Sequence, residues 1–593
     1  MPSYRGHGLE VLPKPEKPAW ARWLSRKRLG LLVGIGVILV IVIARFVASG
    51  RLAAHYQALA TEVGSVPEFW SEVSPNHSGT GIVYQQSTET GVGVFFSPLP
   101  SGERKMVYEL PEKFAIKERG AQNLNVWGWA PDDSLFAFSY LSGTNRLIAI
   151  HNGKTGEKER ETKVSRQLKG FVWLDANAVA YVNERDDLYY WGAGTEKRGS
   201  SPVSFVKKGA QKPGIPVRGL TAVSPDTIAW HDGSAIWSWQ FGTERPAKLW
   251  DGETNNIVDM GIAPGGNYFL LRLKESGGET IARVQLAGGR LETLARINAL
   301  AQQTNKNHVV WLGGGFAHAW GGVATHSVFI YPQYQAKPQE LVFPGGIMSY
   351  ASSGSSLYLV GSRAGEPLGV WRYDGNMEKV TCVLSNALPR YRLAKPVTPE
   401  QSEFKTKGGT TINYWLWSPP KVAPGKKYPL LMGGPCWGWD SYRSAAVNGG
   451  AYVVNIDRDD WYSDWTEGVP ELLEHLRESL KLDETKLYAF GTSAQVWHAS
   501  RLVEEYPDTW RGVLMFSPGG SGPSFDKIKK HRLFIDCGAD DRYTEGALKY
   551  RDEGLKRGIA ITTMVHEDAE HTYRSIRSVR SRDQAVMRFL FGN

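Results

Sequence analysis

A pattern of short strands recurs between residues 66 and 390 and constrains the fold of this 593-residue chain more than any other feature. Each copy has an aromatic or apolar strand, a turn rich in Pro, Asp or Gly, and two further strands, as in VWGWAPDDSLFAFSYLSGTNRLIAIHNGKTGEK from Val126. The copies follow one another about every 40 residues, the period of a β-propeller blade. An array of β-sandwiches is the alternative, but it favours no single period. The sequence therefore predicts a propeller of about seven blades over residues 66–390.

The pattern changes near Tyr391, where longer helical segments enter the sequence. The apolar strands GAYVVNID, KLYAFG, GVLMFSPG, RLFIDCG and ITTMVHED follow in order, and helical segments such as AQVWHASRLVEEYP lie between most of them. Alternation of this kind predicts a mostly parallel sheet that is covered by helices on both faces. We expect residues 391–593 to form one α/β domain.

An uncharged stretch, LGLLVGIGVILVIVIA, covers residues 29–44 and continues to Gly50 with only Arg45 interrupting it. A helix that spans a bilayer needs roughly 20 apolar residues. We therefore expect residues 29–50 to form a transmembrane signal anchor, followed by a linker over residues 51–65. A cleaved signal peptide is the alternative, although its apolar core is usually only ~7–15 residues long.

The charges around this stretch predict its orientation. Residues 1–28 carry seven Lys or Arg against two Glu. The positive-inside rule keeps this basic tail in the cytoplasm and places the propeller and the α/β domain outside the cytoplasm. The tail also supplies more than half of the net charge of +9, so the basic composition is no argument for a nucleic-acid partner.

The cysteines give no sign of a metal or disulfide framework. Cys382, Cys436 and Cys537 are scattered along the chain, and their spacing matches no paired metal-ligand motif. We expect three free thiols, no bound metal and no cofactor. The oligomeric state stays open.

Three residue types that hydrolases use as a unit occur in the required chain order. Ser493 follows the strand KLYAFG, the pair Asp540 and Asp541 follows LFIDCG, and His571 follows ITTMVHED. Because ligands bind beyond the carboxyl ends of parallel strands, we expect these side chains to meet there. His571 would take the proton of Ser493 while a carboxylate orients the imidazole. The sequence favours Asp541 as this carboxylate, with Asp540 as the alternative, and His566 is a weaker alternative base.

The whole arrangement resembles a known family of serine peptidases. An anchor, a propeller and a hydrolase, with the motifs YPLLMGGPCWGWD, GTSAQ, CGADDRY and EHTYRS in order, are similar to the prolyl oligopeptidase family, especially its membrane-anchored dipeptidyl-peptidase branch. The resemblance implies a β-propeller that admits only peptides to an α/β-hydrolase domain. By motif it implies Ser493, Asp541 and His571 as the triad of an acyl-enzyme mechanism, with the Ala494 N–H in the oxyanion hole.

Two residues depart from the motifs of that family. Gln495 stands where the family has a glycine that lets helix and strand approach closely. Met432 stands where the dipeptidyl peptidases have a tyrosine that donates to the oxyanion, and methionine has no proton to donate. The Gln495 amide is an alternative donor. Because losing one donor typically costs about 10²–10³ in rate, the sequence predicts an enzyme that is weakened rather than abolished.

The predicted function is a membrane-anchored serine hydrolase, foremost a peptidase that acts on short peptides. The alternatives on the same scaffold are a serine esterase that acts on small esters and an inactive propeller-hydrolase protein that only binds ligands, and fold cannot separate them. No Glu-Glu pair, which the dipeptidyl-peptidase branch uses to bind the peptide amine, occurs in residues 66–390, so exopeptidase specificity is not predicted. Five tryptophans either line a substrate pocket or pack in the core: Trp437, Trp439, Trp461, Trp465 and Trp497.

Deleting residues 1–50 should release the rest of the chain from membranes, because the remaining sequence has no second run that is both uncharged and as continuously apolar as residues 29–44. The check is fractionation of the full-length and truncated proteins after an alkaline wash. A truncated protein that stays in the bilayer would show that the anchor lies elsewhere.

Overall fold

The computed structural model describes residues 70–592 apart from internal gaps, all within the compact unit Leu59–Asn593. The gaps of five or more residues are 112–123, 193–202, 205–214, 299–309, 332–337, 364–368, 386–398, 435–440 and 458–463. The predicted tail, transmembrane segment and linker over residues 1–65 therefore lie outside the described residues. Within the described ranges, no helix combines the length and apolarity needed to cross a membrane.

Seven four-stranded antiparallel sheets make up the described part of residues 70–385, each built from consecutive strands of the chain. This confirms the predicted seven-bladed propeller. The strands, blade by blade, are β1 (Trp70–Pro75), β2 (Gly81–Ser87), β3 (Gly91–Pro98) and β4 (Lys105–Pro111); β5 (Leu124–Trp129), β6 (Leu135–Ser142), β7 (Asn145–Asn152) and β8 (Lys158–Val164); β9 (Leu168–Asp175), β10 (Ala178–Asn183), β11 (Leu188–Gly192) and β12 (Val203–Ser204); β13 (Arg218–Ser224), β14 (Thr227–His231), β15 (Ala235–Gln240) and β16 (Ala247–Asp251); β17 (Ile257–Ile262), β18 (Tyr268–Glu275), β19 (Gly278–Gln285) and β20 (Glu292–Asn298); β21 (Val310–Leu312), β22 (Gly315–Gly321), β23 (His326–Tyr331) and β24 (Gln339–Phe343); and β25 (Gly345–Ser353), β26 (Ser356–Arg363), β27 (Gly369–Tyr373) and β28 (Val380–Ser385).

Side chains close the propeller ring between its first and last blades. The first strands of neighbouring blades contact each other, as β1 contacts β5, and β25 of blade 7 contacts β1 of blade 1. The Ser353 hydroxyl donates to the Asn76 carbonyl at 2.6 Å across this junction. Val73 and Tyr84 of blade 1 share an apolar cluster with Tyr358 of blade 7. Packing and single hydrogen bonds therefore join the two blades.

The C-terminal domain is an eight-stranded mixed sheet with the strand order β29-β30-β32-β31-β33-β34-β35-β36. The strands from β32 to β36 in this order are parallel, and β29 and β30 are antiparallel. The strand bounds are β29 (Glu400–Lys405), β30 (Thr411–Trp417), β31 (Tyr428–Gly433), β32 (Tyr452–Asp457), β33 (Leu482–Thr492), β34 (Gly512–Phe516), β35 (Arg532–Gly538) and β36 (Ala560–His566). The predicted domain boundary at 390/391 falls in the gap 386–398 and stays a prediction.

Helices cover both faces of this sheet, as the alternating pattern predicts. The described helices are α1 (Ser441–Gly449), α2 (Val469–Ser479), α3 (Gln495–Glu505), α4 (Thr544–Lys556) and α5 (Ile576–Phe591). One core cluster joins the sheet to α2, α3 and α4, and a second joins it to α1 and α5. Sequence reasoning did not predict α1.

The propeller contacts the C-terminal α/β domain directly at the start of α5. The carbonyl oxygens of Thr88 and Glu89, in the turn between β2 and β3, accept hydrogen bonds from the Ile576 and Arg577 N–H groups at 2.8 and 3.3 Å. The Arg580 guanidinium lies 3.1 Å from the Glu89 carboxylate. Because the first N–H groups of a helix lack partners within the helix, blade 1 satisfies part of the α5 N-terminus.

Acid should destabilise the propeller through His231 in β14. Burial is the main cause that lowers the pKa of His231 from its ordinary 6.5 to about 4, and the charge of Arg218 lowers it further. Between these two pH values the unfolded chain binds a proton that the folded chain does not, so the free energy of unfolding falls as the pH falls through this window. Chemical denaturation of the wild type and His231→Gln at several pH values measures this. We expect a shallower pH dependence in the variant, and equal slopes would contradict it.

Candidate active site

Ser493 lies on the sharp turn between β33 and α3. Its backbone φ is 55°, in the left-handed region that residues other than glycine rarely adopt. The Ser493 N–H donates to the Phe516 carbonyl at the end of β34, at 2.9 Å. This bond fixes the strained turn to the neighbouring strand, and the half-buried serine stands at the carboxyl edge of the sheet.

Helix α3 packs closely against the end of β33 because Gly491 has no side chain. A Cβ atom at Gly491 would lie 2.5 Å from the Gln495 carbonyl oxygen and 2.7 Å from the Val496 nitrogen. The turn forms even though Gln495 stands where the family motif has its second glycine. Gln495 is only 2% exposed. A long side chain at position 495 is therefore accommodated inside the domain.

The structure brings together Ser493, Asp541 and His571. The His571 Nε2 atom lies 2.8 Å from the Ser493 hydroxyl oxygen, and its Nδ1 atom lies 2.7 Å from the Asp541 carboxylate. A carboxylate accepts from Nδ1–H, which leaves Nε2 free to accept the serine proton. The Asp541 side chain is 1% exposed and that of His571 is 36% exposed, so a buried carboxylate orients an imidazole that faces solvent.

The two alternative residues lie elsewhere. Asp540 is exposed, and its N–H donates to the Ala569 carbonyl at 2.9 Å. His566 is buried, with its Nε2 atom 2.7 Å from the Asp536 carboxylate. The hydrogen-bonded chain that ends on Ser493 therefore contains Asp541 and His571 and neither alternative.

Among the residues that the structure describes, the Ala494 backbone N–H is the candidate donor for an oxyanion. Ala494 is exposed, and its backbone N–H has no acceptor among the described residues. Met432 in β31 is fully buried and shares a core cluster with Trp465 and Val496, so core packing fills the position of the family tyrosine. In α/β-hydrolases a second backbone donor comes from the loop that follows the strand equivalent to β31. In this chain that loop begins at Gly434.

The tryptophans near the site divide into core and surface residues. Trp437, Trp439 and Trp461 lie outside the described residues. Trp465 is fully buried, and its ring lies so close to the end of β31 that a Cβ at Gly434 would be 2.2 Å from it. Trp497 is 59% exposed on α3, one helical turn after the serine. Trp465 is thus a packing residue, and Trp497 is accessible to a ligand.

Sequence reasoning missed three residues that surround the His571 loop. The Ser517 hydroxyl donates to the His571 carbonyl at 2.7 Å. Asp536 is fully buried at the end of the strand that precedes Asp541, and the Tyr573 hydroxyl donates to it. The sequence feature that could have pointed to Ser517 and Asp536 is their position at strand ends. Ser517 directly follows β34, and Asp536 lies near the end of β35.

Comparison with known proteins gives structural relatives only. No protein-family model matches the sequence, and no curated protein matches it significantly. The acylaminoacyl peptidase of Pyrococcus horikoshii is similar with a TM-score of 0.59 and 13% identity, over 88% of this chain and 95% of that chain. A puromycin-hydrolyzing peptidase of Mycobacterium tuberculosis gives 0.61 and 13%, over 89% and 96%. A prolyl endopeptidase gives 0.58 and 12%, over 93% and 94%.

These structural neighbours are peptidases of the prolyl oligopeptidase family. At such low identity the likeness shows that this chain has their fold, a β-propeller followed by an α/β-hydrolase domain. What this particular chain acts on is a separate matter, because one fold hosts many functions.

Replacing Gly491 by Ala should destabilise the hydrolase domain, because the new methyl group would collide with the backbone of α3. Overpacking of this kind typically costs about 1–3 kcal/mol. Gly519→Ala is the matched control, since a Cβ there meets nothing within 4 Å. Chemical denaturation of both variants provides the test, and equal stabilities would contradict the close approach of helix and strand.

Proposed function

We propose that this chain is a serine peptidase that cleaves short peptides through an acyl-enzyme on Ser493. The observation that carries the proposal is the unbroken chain from the Asp541 carboxylate through His571 to the Ser493 hydroxyl, with distances of 2.7 and 2.8 Å. These three side chains stand where the parallel strands of an α/β domain end, which is where such domains bind ligands. The similarity to solved peptidases over most of the chain supports the same class of reaction.

The geometry supports acyl transfer with His571 as the shared acid and base. His571 Nε2 accepts the Ser493 proton while the serine oxygen forms a bond to the carbonyl carbon of the peptide. The Ala494 N–H is the candidate donor for the oxyanion that develops. His571 then donates the proton to the leaving amine as the C–N bond breaks. In the second half a water molecule gives a proton to His571 and attacks the acyl carbon, and the Ser493 oxygen leaves and takes that proton back. Asp541 holds the imidazole and stabilises its charged form.

Short peptides are the substrates that the proposal favours over esters. A chloromethyl ketone of a blocked tripeptide, Z-Gly-Gly-Phe, has been bound to an acylaminoacyl peptidase with this fold. The exposed indole of Trp497 offers an apolar surface within one helical turn of Ser493, and such surfaces commonly line small-ligand sites. Blocked peptides with an aromatic residue before the scissile bond are thus the first candidates.

The proposal includes the location of the enzyme. The uncharged stretch 29–50 and the basic tail before it support a single membrane anchor with a cytoplasmic N-terminus. Both folded domains would then act outside the cytoplasm.

A fluorophosphonate should label the wild type at Ser493, and Ser493→Ala or His571→Ala should abolish both labelling and peptide turnover. Asp541→Asn should lower kcat by about 10⁴, because the imidazole would lose the acceptor that fixes its tautomer. Asp540→Asn is the matched control, and it should retain wild-type activity because Asp540 is exposed and outside the hydrogen-bonded chain. Mass spectrometry of labelled peptides and steady-state kinetics provide the measurements.

A folded wild type that resists the label would contradict the proposal and leave a protein that only binds ligands. Turnover of small esters without turnover of any blocked peptide would favour an esterase. Loss of activity in Asp540→Asn but not in Asp541→Asn would reassign the carboxylate.

A further inference from the structure

The backbone that carries His571 is a loop between β36 and α5. The loop is held at the Ala569 carbonyl, which accepts from the Asp540 N–H at 2.9 Å, and at the Ile576 N–H, which donates to the Thr88 carbonyl. A base on a loop needs more support than its own side-chain bonds, because a misplacement of about 1 Å can cost 10²-fold in rate. The side chains packed against this loop are therefore informative.

Asp536 binds residues on both sides of His571. Its carboxylate is fully buried, and its two oxygens accept from His566 Nε2 at 2.7 Å and from the Tyr573 hydroxyl at 2.5 Å. The His566 and Tyr573 rings also contact each other, with their centroids 4.5 Å apart. One carboxylate therefore fixes the residue that ends β36 and the residue two positions after His571.

Ser517 connects this carboxylate residue to the backbone of His571. Its N–H donates to the Asp536 carbonyl at 2.7 Å, and its hydroxyl donates to the His571 carbonyl at 2.7 Å. The Ser517 φ is 44°, a left-handed conformation that serine rarely adopts. Strain of this kind persists where the surrounding structure holds a residue in place, and it is common near functional sites.

The cluster is suited to hold a fixed pattern of hydrogen bonds. Burial, and next the charge of Asp536, raise the pKa of Tyr573 well above its ordinary range, so its hydroxyl stays a donor. The Arg582 guanidinium lies 5.8 Å from the centre of the Tyr573 ring and is paired with Asp583 at 2.9 Å. Every residue of the cluster is less than a tenth exposed, so water does not compete freely for these bonds.

We propose that Ser517, Asp536, His566 and Tyr573 form a positioning cluster that holds the His571 backbone in the place where its ring reaches both Ser493 and Asp541. The inference rests on the proposed function, in which His571 is the base. These four residues act through the backbone of the loop and do not touch the substrate.

Tyr573→Phe tests the cluster with the loss of a single hydroxyl. We expect kcat and the rate of fluorophosphonate labelling to fall about tenfold with KM unchanged, because the base is displaced while substrate binding is not. Hydrogen–deuterium exchange of the peptide that covers residues 567–575 should become faster. Ser517→Ala should have the same effects, and the double variant should lose less than the product of the two single losses, because both act on one loop.

Tyr550→Phe is the matched control. The Tyr550 hydroxyl also donates one hydrogen bond within the hydrolase domain, to the Pro523 carbonyl at 2.6 Å, but it lies in α4 and outside the cluster. Each tyrosine variant loses one hydrogen bond, so Tyr550→Phe should lower the thermal midpoint by about as much as Tyr573→Phe does. Unlike Tyr573→Phe, it should leave kcat, labelling and loop exchange as in the wild type. A change that appears only in the Tyr573 variant is then specific to the position of His571.

The outcomes separate the cluster from the proposed function. If the wild type is labelled and both Tyr573→Phe and Ser517→Ala are labelled as fast as the wild type, the positioning role is overturned. Exchange in residues 567–575 that is no faster than in Tyr550→Phe would also overturn it. An unlabelled wild type whose loop exchange still responds to Tyr573→Phe would overturn the peptidase proposal, while the cluster would stand as the support of the loop.

Discussion

The parallel pairing of strands β31 to β36 is the constraint on which the site depends. Its register places Thr492 beside Phe516, and Phe516 beside Asp536, along one edge of the sheet. The chain segments that follow these positions carry Ser493, Ser517 and Asp541. Residues 78 positions apart, Ser493 and His571, thereby come within hydrogen-bond distance. A shift of register in any one strand pair would move one of these groups away from the others.

Much of the fold could be predicted from the sequence because both domains have regular patterns. The period of about 40 residues reports the blade, and strand and helix alternation reports the parallel sheet. Helix α1 escaped prediction because SYRSAAVNG is short and has no acidic residue in its first turn and no basic residue in its last turn. Packing against the sheet, rather than its own sequence, accounts for that helix.

The sequence predicted which residue types form the site, but not the residues that hold them in place. Chain order and strand ends pointed to Ser493, Asp541 and His571, and the sequence favoured Asp541 over Asp540. The structure adds the physical difference between the two, because Asp541 is buried and Asp540 is exposed. The face on which Met432 lies depends on strand register, which motif comparison does not give. Met432 and Gln495 are both buried, so their departures from the family motif are matters of packing as well as of donors. Ser517 and Asp536 were missed because their roles depend on neighbouring strands.

The left-handed backbone of Ser493 lowers the stability of the fold, and this cost bears on which residue the position would carry in a chain without hydrolytic activity. Holding a residue other than glycine in a sparsely populated conformation costs about 1–3 kcal/mol of folding free energy. Glycine adopts this conformation readily, so a sequence under no demand for a hydroxyl would gain stability by exchanging Ser493 for glycine. The present chain still carries the serine in its strained conformation. That retained strain supports the proposal that Ser493 is a nucleophile.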